Sequence, residues 1–318
     1  MTRKVLFIES VHDILQQKLE AAGYVCEQHY KATCDEILKM LPEYFGVVIR
    51  SRITVDEAFI DAATALKFIA RSGSGLDNIN VPYAESKGIA VINSPEGNRD
   101  AVGEHTIAML LMMLNNLKQA DADVRAGRWP REENRGHEIS ARTIALIGYG
   151  MMGSSFAEKL SGFRAKVIAY DKYKTNFSDE FVREVSLEEI YATADIVSLH
   201  LPLTMETHYY ANAAFFAKFK KPIYFVNTSR GKNTDTGALV DALKNGTVIG
   251  ACLDVIEYEK LSLEGLESDK QTEDLKHLIE AKNVILSPHI AGWTHESNYK
   301  LSDVLAEKIL RVFGESGA

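Results

Sequence analysis

Three polar residues with complementary chemistry each follow an apolar run in the second half of the 318-residue sequence. Arg230 follows YFVNTS, Glu259 lies just beyond VIGACLDV, and His289 follows NVILSP. Arginine binds a carboxylate through two parallel hydrogen bonds, and histidine exchanges protons near neutral pH. A carboxylate beside the histidine favours its protonated form and orients the ring. Such a set could bind an oxyacid and move a proton, although taken singly each residue also fits an ordinary role: surface arginine, solvated glutamate or structural histidine.

A glycine-rich segment, Gly148–Gly153, follows the apolar run TIALI and opens a helical stretch. Its glycines permit a tight turn, close approach of a pyrophosphate to the backbone, and close packing of helix on strand; they are Gly148, Gly150 and Gly153. Asp171, at the end of VIAY, suits a hydrogen bond to an adenosine ribose, and its charge would repel the extra phosphate of NADP. The pattern predicts an NAD site. A helix cap or solvated turn is the alternative interpretation of Asp171, and Lys172 and Lys174 would soften the discrimination.

Short apolar runs alternate with helical segments along the chain, which predicts parallel sheets in an α/β protein. In the first series the predicted strands are Lys4–Ile8, Phe45–Ile49, Lys67–Ala70 and Ile89–Ile92, with helices at His12–Ala22 and Val55–Ala62. A long helix over Asp100–Leu117 precedes a second series, with strands at Ile144–Ile147, Lys166–Tyr170, Ile196–Leu199, Tyr224–Val226, Val248–Leu253 and Val284–Leu286. The final helix, His295–Phe313, is expected to pack on the first series.

We therefore predict two doubly wound parallel-sheet domains, with a Rossmann NAD-binding domain inserted in a flavodoxin-like substrate domain. The substrate domain is expected to comprise residues 1–99 and 295–318, and the NAD-binding domain residues 100–294. Ligands of such sheets bind where the strands end, at the carboxyl edge. The three polar residues that follow strands of the second series are expected to converge there.

Composition excludes several classes of function. Lys and Arg total 36 against 44 Asp and Glu, and the net charge of −8 disfavours binding to nucleic acid or an anionic membrane. No apolar stretch approaches the ~18 residues that would span a bilayer, so we expect a cytoplasmic protein. The three cysteines, Cys26, Cys34 and Cys252, lack metal-ligand spacing, and no metal site is predicted.

Seven stretches, in order, resemble the D-isomer-specific 2-hydroxyacid dehydrogenases, especially the D-3-phosphoglycerate dehydrogenases. They are ARSGSGLDNINV, NSPEGNRDAVGEHT, IGYGMMG, SLHLPL, NTSRG, ACLDVIEYE and SPHIAGWT, and they fall between about Phe45 and Ser297. The resemblance implies that Arg230 binds the substrate carboxylate and carbonyl, that His289 is the acid/base, and that Glu259 is its partner.

The resemblance also implies binding residues. For the cofactor they are Ser74, Met151, Met152, Pro202, Thr228, Ser229, Ala291, Gly292 and Asp254, the last on the nicotinamide carboxamide. For the substrate they are Ser74, Gly75, Asn98 and Arg50, with Arg50 turned toward a phosphate and Arg52 assisting. A solvated strand end is the alternative interpretation of both arginines.

The expected reaction is the NAD-dependent conversion of 3-phosphoglycerate to 3-phosphohydroxypyruvate, in serine biosynthesis. The alternatives are a glyoxylate/hydroxypyruvate or D-lactate-type reductase, and a non-catalytic NAD-sensing protein like a corepressor. The resemblance implies a homodimer with the long helix as an arm. Only 29 residues follow His289, so we expect no regulatory C-terminal domain. Two departures from the family pattern stand out: the polar stretch Lys232–Thr234 and an acidic insertion at 260–277. Trp293 is interpreted as a subunit contact or a pocket wall.

Overall fold

A computed structural model describes residues 3–260 and 272–314 of the chain. Its strands are β1 Arg3–Phe7, β2 Tyr24–Gln28, β3 Gly46–Ile49, β4 Phe68–Arg71, β5 Ala90–Asn93, β6 Thr143–Ile147, β7 Lys166–Tyr170, β8 Arg183–Glu184, β9 Ile196–Leu199, β10 Ile223–Asn227, β11 Val248–Leu253 and β12 Val284–Leu286. Its helices are α1 Ile14–Ala21, α2 Cys34–Met40, α3 Glu57–Ala62, α4 Val81–Ser86, α5 Arg99–Leu114, α6 Leu117–Arg125, α7 Met151–Leu160, α8 Leu187–Thr193, α9 Ala213–Phe216, α10 Thr236–Lys244, α11 Glu273–Glu280 and α12 His295–Phe313. The chain divides into two compact units.

Unit 1 contains the residues up to Asn98 and those from Trp293 onward. Its five strands are parallel and run in the order β2-β1-β3-β4-β5. Alternate side chains of β1 enter two apolar clusters, one on each face of the sheet, as a buried parallel strand requires. One cluster packs against α2, α3 and α4, and the other against α1 and α12. Gly97 lies so close to α12 that a Cβ there would stand 2.5 Å from the backbone nitrogen of Leu301.

Unit 2 contains residues 99–260 and 272–292. Its seven strands are parallel, in the order β12-β11-β10-β9-β6-β7-β8. Ala145 and Ile147 face one apolar cluster, whereas Ile144 and Leu146 face the other, so both faces of the sheet are buried. The strand order reverses beside β6, which is the topological switch point where doubly wound sheets bind ligands. The predicted α/β class with two parallel sheets is confirmed.

Two strands and two helices of the structure differ from the prediction. The strands β2 and β8 were not predicted, because both lie at sheet edges and contain polar residues. The helix predicted over Asp100–Leu117 ends at Leu114, and a second helix begins at Leu117. Asn116 between them has φ +50°, a left-handed conformation that asparagine tolerates and that breaks the helix. The helix predicted from Val55 begins at Glu57, because the Asp56 side chain accepts from the backbone N–H of Phe59 and caps it.

Residues 261–271 of the predicted insertion lie outside the described residues. Its remainder leads into α11, which buries Leu275 and Leu278 on unit 2. Within the residues that the structure describes, no helix is long and apolar enough to cross a membrane. The Cys252 thiol is buried, which raises its pKa to about 12.

Candidate active site

Glu259 and His289, predicted as partners from the sequence, are in direct contact. His289 follows β12 and Glu259 follows the neighbouring strand β11. The Nδ1 atom of His289 lies 2.6 Å from Oε2 of Glu259, and the other carboxylate oxygen accepts from the backbone N–H of Ile256. A quarter of the His289 side chain and 17% of the Glu259 side chain are exposed, so the pair borders solvent. The glutamate therefore fixes the ring through one nitrogen and leaves the second nitrogen for chemistry.

Arg230 lies at the end of β10, the next strand in the sheet. Its carbonyl accepts from Nδ2 of Asn227 at 2.9 Å, and its Nη1 donates to the Ser229 carbonyl at 2.7 Å. A Cβ on the following residue, Gly231, would clash with the carbonyl oxygen of Ile256. The loop that carries Arg230 therefore packs on the loop that leads to Glu259. The three predicted catalytic residues thus follow three neighbouring parallel strands at one edge.

The polar stretch Lys232–Thr234 ties this loop to its neighbours. Asn233 is fully buried, and its Nδ2 donates to the Leu201 carbonyl at 3.0 Å and to Ser229 Oγ at 3.2 Å. Thr234 Oγ1 accepts from Nδ2 of Asn227 at 3.1 Å. These polar side chains therefore join the loop after β10 to the loop after β9, where apolar residues could only pack.

The glycine-rich turn has the shape that a pyrophosphate needs. Gly148 has φ +95°, and a Cβ there would clash with the carbonyl oxygen of His200. A Cβ on Gly153 would clash with the Gly148 carbonyl, whereas one on Gly150 would meet no atom within 4 Å. Helix α7 begins directly after Gly150, which provides no side-chain cap, so the first-turn N–H groups of α7 receive no acceptor from that residue. Met151 and Met152, both half-buried, form that first turn. These residues fit a dinucleotide.

Asp171 organises the turn that follows β7. Its Oδ2 accepts from the backbone N–H of Tyr149 at 2.8 Å, and its Oδ1 accepts from those of Tyr173 and Lys174. Both nearby lysines have partners: Nζ of Lys174 donates to the Tyr149 carbonyl at 2.6 Å, and Lys172 pairs with Glu206. These contacts hold both ammonium groups against the protein, which argues against the prediction that the lysines reduce the preference for NAD over NADP.

The other predicted cofactor residues of unit 2 lie on loops at the same edge. Thr228 and Ser229 follow β10, and Thr228 Oγ1 lies 3.1 Å from Thr106 Oγ1 on α5. The carbonyl of Pro202, after β9, accepts from the Thr207 hydroxyl at 2.6 Å. Ala291 and Gly292 follow β12.

Asp254, after β11, is buried, and its carboxylate accepts three hydrogen bonds. Only 1% of the residue is exposed, and its carboxylate accepts from the Ser287 hydroxyl at 2.6 Å and from the backbone N–H groups of Ile290 at 2.9 Å and Ala291 at 2.8 Å. Burial raises the pKa of Asp254, but the hydrogen bonds from His105, Ser287 and the backbone outweigh it and hold the pKa below its ordinary value. Sequence reasoning assigned no role to His105 or Ser287. Both stand in stretches quoted for the family resemblance, GEHT and SPH.

In unit 1, the predicted substrate residues follow β3, β4 and β5. The Ser74 hydroxyl donates to Oδ1 of Asn98, and Gly75 is the next residue along the loop. The Arg50 guanidinium lies over the Trp293 ring, 4.4 Å from its centroid. Of the two interpretations of Trp293, this contact favours the pocket wall, because the ring covers one face of the Arg50 guanidinium. Arg52 donates to the carbonyls of Ile8 at 2.9 Å and Ala32 at 3.0 Å, so its predicted assistance to substrate gives way to a structural role.

No cluster of three or more His, Cys, Asp or Glu side chains in residues 3–260 and 272–314 could hold a metal ion.

Comparison with known proteins identifies relatives over most of the chain. Residues 107–291 match the family model described as D-isomer specific 2-hydroxyacid dehydrogenase, NAD binding domain. The D-3-phosphoglycerate dehydrogenase of Archaeoglobus fulgidus is 32% identical over 97% of this chain and 57% of its own length. The hydroxypyruvate reductase of Thermotoga maritima is 35% identical over 88% of both. The chain spans about half the length of the D-3-phosphoglycerate dehydrogenases that it matches.

Solved structures agree on the fold. The D-lactate dehydrogenase from Aquifex aeolicus, complexed with NAD and lactic acid, superimposes with a TM-score of 0.84 at 28% identity, covering 98% of this chain and 96% of the other.

Proposed function

Because the chain belongs to the D-isomer-specific 2-hydroxyacid dehydrogenase family and carries its NAD-binding domain, we propose that it catalyses the NAD-dependent interconversion of a D-2-hydroxy acid and its 2-oxo acid. The observation that carries this proposal is the 2.6 Å hydrogen bond between His289 and Glu259 at the carboxyl edge of the sheet. The placement of Arg230 on the adjoining strand end supports it.

Each of these residues has a task in this reaction. NAD, when bound, exchanges a hydride with C2 of the acid. His289 takes the hydroxyl proton during oxidation and returns it to the carbonyl oxygen during reduction, through its nitrogen opposite Nδ1. Glu259 stabilises the charged ring and fixes its orientation. Arg230 binds the substrate carboxylate and polarises the carbonyl, as a permanently charged guanidinium can.

The glycine-rich turn is the proposed binding site of the cofactor pyrophosphate. We assign the pyrophosphate to Gly148, Gly150, Gly153 and the backbone of Met151 and Met152, because it can approach the backbone of this turn without side-chain obstruction. Asp171 retains acceptor capacity for ribose hydroxyls, since each carboxylate oxygen has two lone pairs. The loop residues Pro202, Thr228, Ser229, Ala291 and Gly292 complete the proposed cofactor set.

For the substrate we propose 3-phosphoglycerate, with Arg50 as the phosphate-binding residue beside Ser74, Gly75 and Asn98. The Trp293 ring holds the Arg50 guanidinium by a cation–π contact and so reduces the entropy that phosphate binding would cost. Hydroxypyruvate is the second candidate, because the hydroxypyruvate reductase of Thermotoga maritima matches over 88% of its length.

The catalytic assignment is tested by His289→Ala and Glu259→Gln. We expect His289→Ala to lower kcat by about 10²–10⁴-fold, the usual contribution of a general acid–base group, while the Kd for NADH, measured by fluorescence, stays unchanged. Wild-type turnover in this variant would remove the assignment. Turnover is followed as NADH absorbance with a panel of D-hydroxy and 2-oxo acids. NADH binding without turnover on any acid would instead favour an NAD-sensing protein.

The substrate assignment is tested by Arg50→Gln, with Arg52→Gln as the matched control. Losing a charged hydrogen-bonding partner costs about 1.5–3 kcal/mol, so kcat/KM for 3-phosphoglycerate should fall about 10- to 100-fold. The kcat/KM for hydroxypyruvate, which has no phosphate, should change little. Arg52→Gln removes the same charge nearby, and an equal loss in both variants would show that Arg50 makes no specific contact.

We also propose a homodimer. Met112 on α5 and Leu117 and Val124 on α6 are more than a third exposed and would be covered by a second copy. Size-exclusion chromatography with light scattering measures the molar mass and tests this proposal. The mass of a monomer at micromolar concentration would contradict it.

A further inference from the structure

The loop that carries His289 is held in an unusual backbone conformation. His289 has φ +55°, in the left-handed region, which is sterically unfavourable for a residue with a Cβ. Such strain persists only where the surrounding structure over-determines it.

Three successive backbone N–H groups of the turn all donate to one residue, Asp254. The N–H of His289 donates to the Asp254 carbonyl at 2.7 Å, and those of Ile290 and Ala291 donate to its two carboxylate oxygens at 2.9 and 2.8 Å. We propose that Asp254 is a positioning residue that fixes the left-handed turn at His289 and thereby aims its imidazole, an inference that rests on the proposed function.

Asp254 is itself held from behind. The Ser287 hydroxyl donates to its carboxylate at 2.6 Å, and that hydroxyl lies 3.0 Å from Nε2 of His105 on α5. Since the hydroxyl proton of Ser287 is directed to Asp254, Nε2 of His105 is the donor toward Ser287, and the same Nε2 lies 3.5 Å from Oδ1 of Asp254. The Asp254 N–H also donates to the Asn227 carbonyl at 3.1 Å. Asp254 is therefore anchored to α5 through its carboxylate and to β10 through its backbone.

This arrangement leaves acceptor capacity on the same carboxylate. The resemblance assigns Asp254 to the nicotinamide carboxamide, and among the described residues Oδ2 accepts only the Ala291 N–H although a carboxylate oxygen has two lone pairs. The positioning role is proposed from the contacts with the turn and stands beside such a cofactor contact. The two roles differ in what they predict: a cofactor ligand governs the Kd for NADH, whereas a positioning residue governs kcat.

The test is Asp254→Asn, which keeps the size but places an NH₂ against an N–H donor of the turn. Misplacing a reacting group by about 1 Å costs about 10²-fold in rate, so we expect kcat to fall about 10- to 100-fold while the Kd for NADH changes less than about threefold. Hydrogen exchange at the backbone amides of Ile290 and Ala291 should accelerate. Ser287→Ala should give a smaller loss in kcat, and Ser287→Thr, which retains the hydroxyl, should restore it.

Asp195→Asn is the matched control. Asp195 also accepts a backbone N–H, that of Thr143 at 2.7 Å, and pairs with Lys221, but it precedes β9 at the opposite edge of the same sheet. This variant should lose stability without a loss in kcat.

The outcomes separate the possibilities. A Kd for NADH that rises in proportion to the loss in kcat would overturn the proposal and make Asp254 a cofactor ligand. Unchanged exchange at Ile290 and Ala291 would also overturn it. If Asp254→Asn does not fold, the same measurements of kcat, the Kd for NADH and hydrogen exchange are made on Ser287→Ala. If the wild-type protein converts no acid, the proposed function fails, whereas the exchange measurement still decides whether Asp254 holds the turn.

Discussion

A partly buried histidine beside the glycine-rich turn should make the stability of the protein sensitive to acid. The His200 ring follows β9, packs 5.5 Å from the Phe156 ring, and its Nε2 lies 2.9 Å from Ser198 Oγ. Burial lowers the pKa of His200 from 6.5 to about 4. Because the folded-state pKa is below the unfolded one, the neutral ring contributes stability that is fully present above pH 6.5. That contribution is lost as the pH falls toward 4.

The size of the effect follows from the two pKa values. At 1.36 kcal/mol per unit, the difference between 6.5 and about 4 is worth about 3 kcal/mol in total. Between pH 8 and pH 5.5 the loss is about 1.4 kcal/mol, because at pH 5.5 most unfolded molecules carry the proton and folded ones do not. His200→Gln retains a hydrogen-bonding group toward Ser198 but does not titrate.

The assay is urea unfolding of wild type and His200→Gln at pH 8 and 5.5, followed by circular dichroism. We expect the difference between their free energies of unfolding to change by about 1.4 kcal/mol between the two pH values, with wild type losing more. His208→Gln, which removes an exposed histidine, serves as the control because its substitution takes no buried ring away. A difference that stays constant with pH for His200→Gln would refute the reasoning.

Three further predictions concern the cofactor. Gly148→Ala should raise the Kd for NADH at least about tenfold by fluorescence titration, because a Cβ would clash with the His200 carbonyl and φ +95° disfavours it; unaltered binding would contradict this. Asp171→Ala should weaken NAD binding and raise the ratio of kcat/KM with NADP to kcat/KM with NAD. An unchanged ratio would count against the assignment. Glu206→Gln should release Lys172 from its ion pair and lower the Kd for NADP⁺ a few-fold, as measured by calorimetry, without changing the Kd for NAD⁺. Equal changes in both Kd values would show that Lys172 does not contact the extra phosphate.

The strands that the sequence predicted are mainly apolar, and the central ones have side chains buried on both faces. β6 (TIALI) and β9 (IVSL) are almost entirely apolar, because helices cover both faces of their sheet. β2 has the sequence YVCEQ and a mixed burial pattern, since only one neighbour pairs with it at the sheet edge. Periodicity cannot separate such a strand from a loop. Likewise, a single asparagine, Asn116, ends α5 earlier than its apolar pattern indicates.

The Glu259–His289 pair was predictable because both residues follow strands, and the ends of neighbouring parallel strands meet at one edge. The network behind it was not, because its members touch only in the folded chain: His105 and Ser287 are 182 positions apart. A histidine inside a helix and a serine beside a proline also have no spacing that distinguishes them from ordinary surface residues. Arg52 shows the reverse case, since its charge suggested a ligand and its contacts are backbone carbonyls.

The loops at the carboxyl edge share one physical design: buried polar side chains bind backbone groups of their own loop or of a neighbouring loop. Asn233 reaches the Leu201 carbonyl, Asn227 the Arg230 carbonyl, and Asp254 the amides after β12. Hydrogen bonds fix direction, whereas apolar contacts fix only distance, so this design orients side chains that must meet a substrate at set angles. The same design makes the edge sensitive to isosteric substitutions that leave packing intact, because an amide in place of a carboxylate changes an acceptor into a donor. Substitutions of this kind should therefore separate orientation from folding at this edge better than truncations to alanine, which also open cavities.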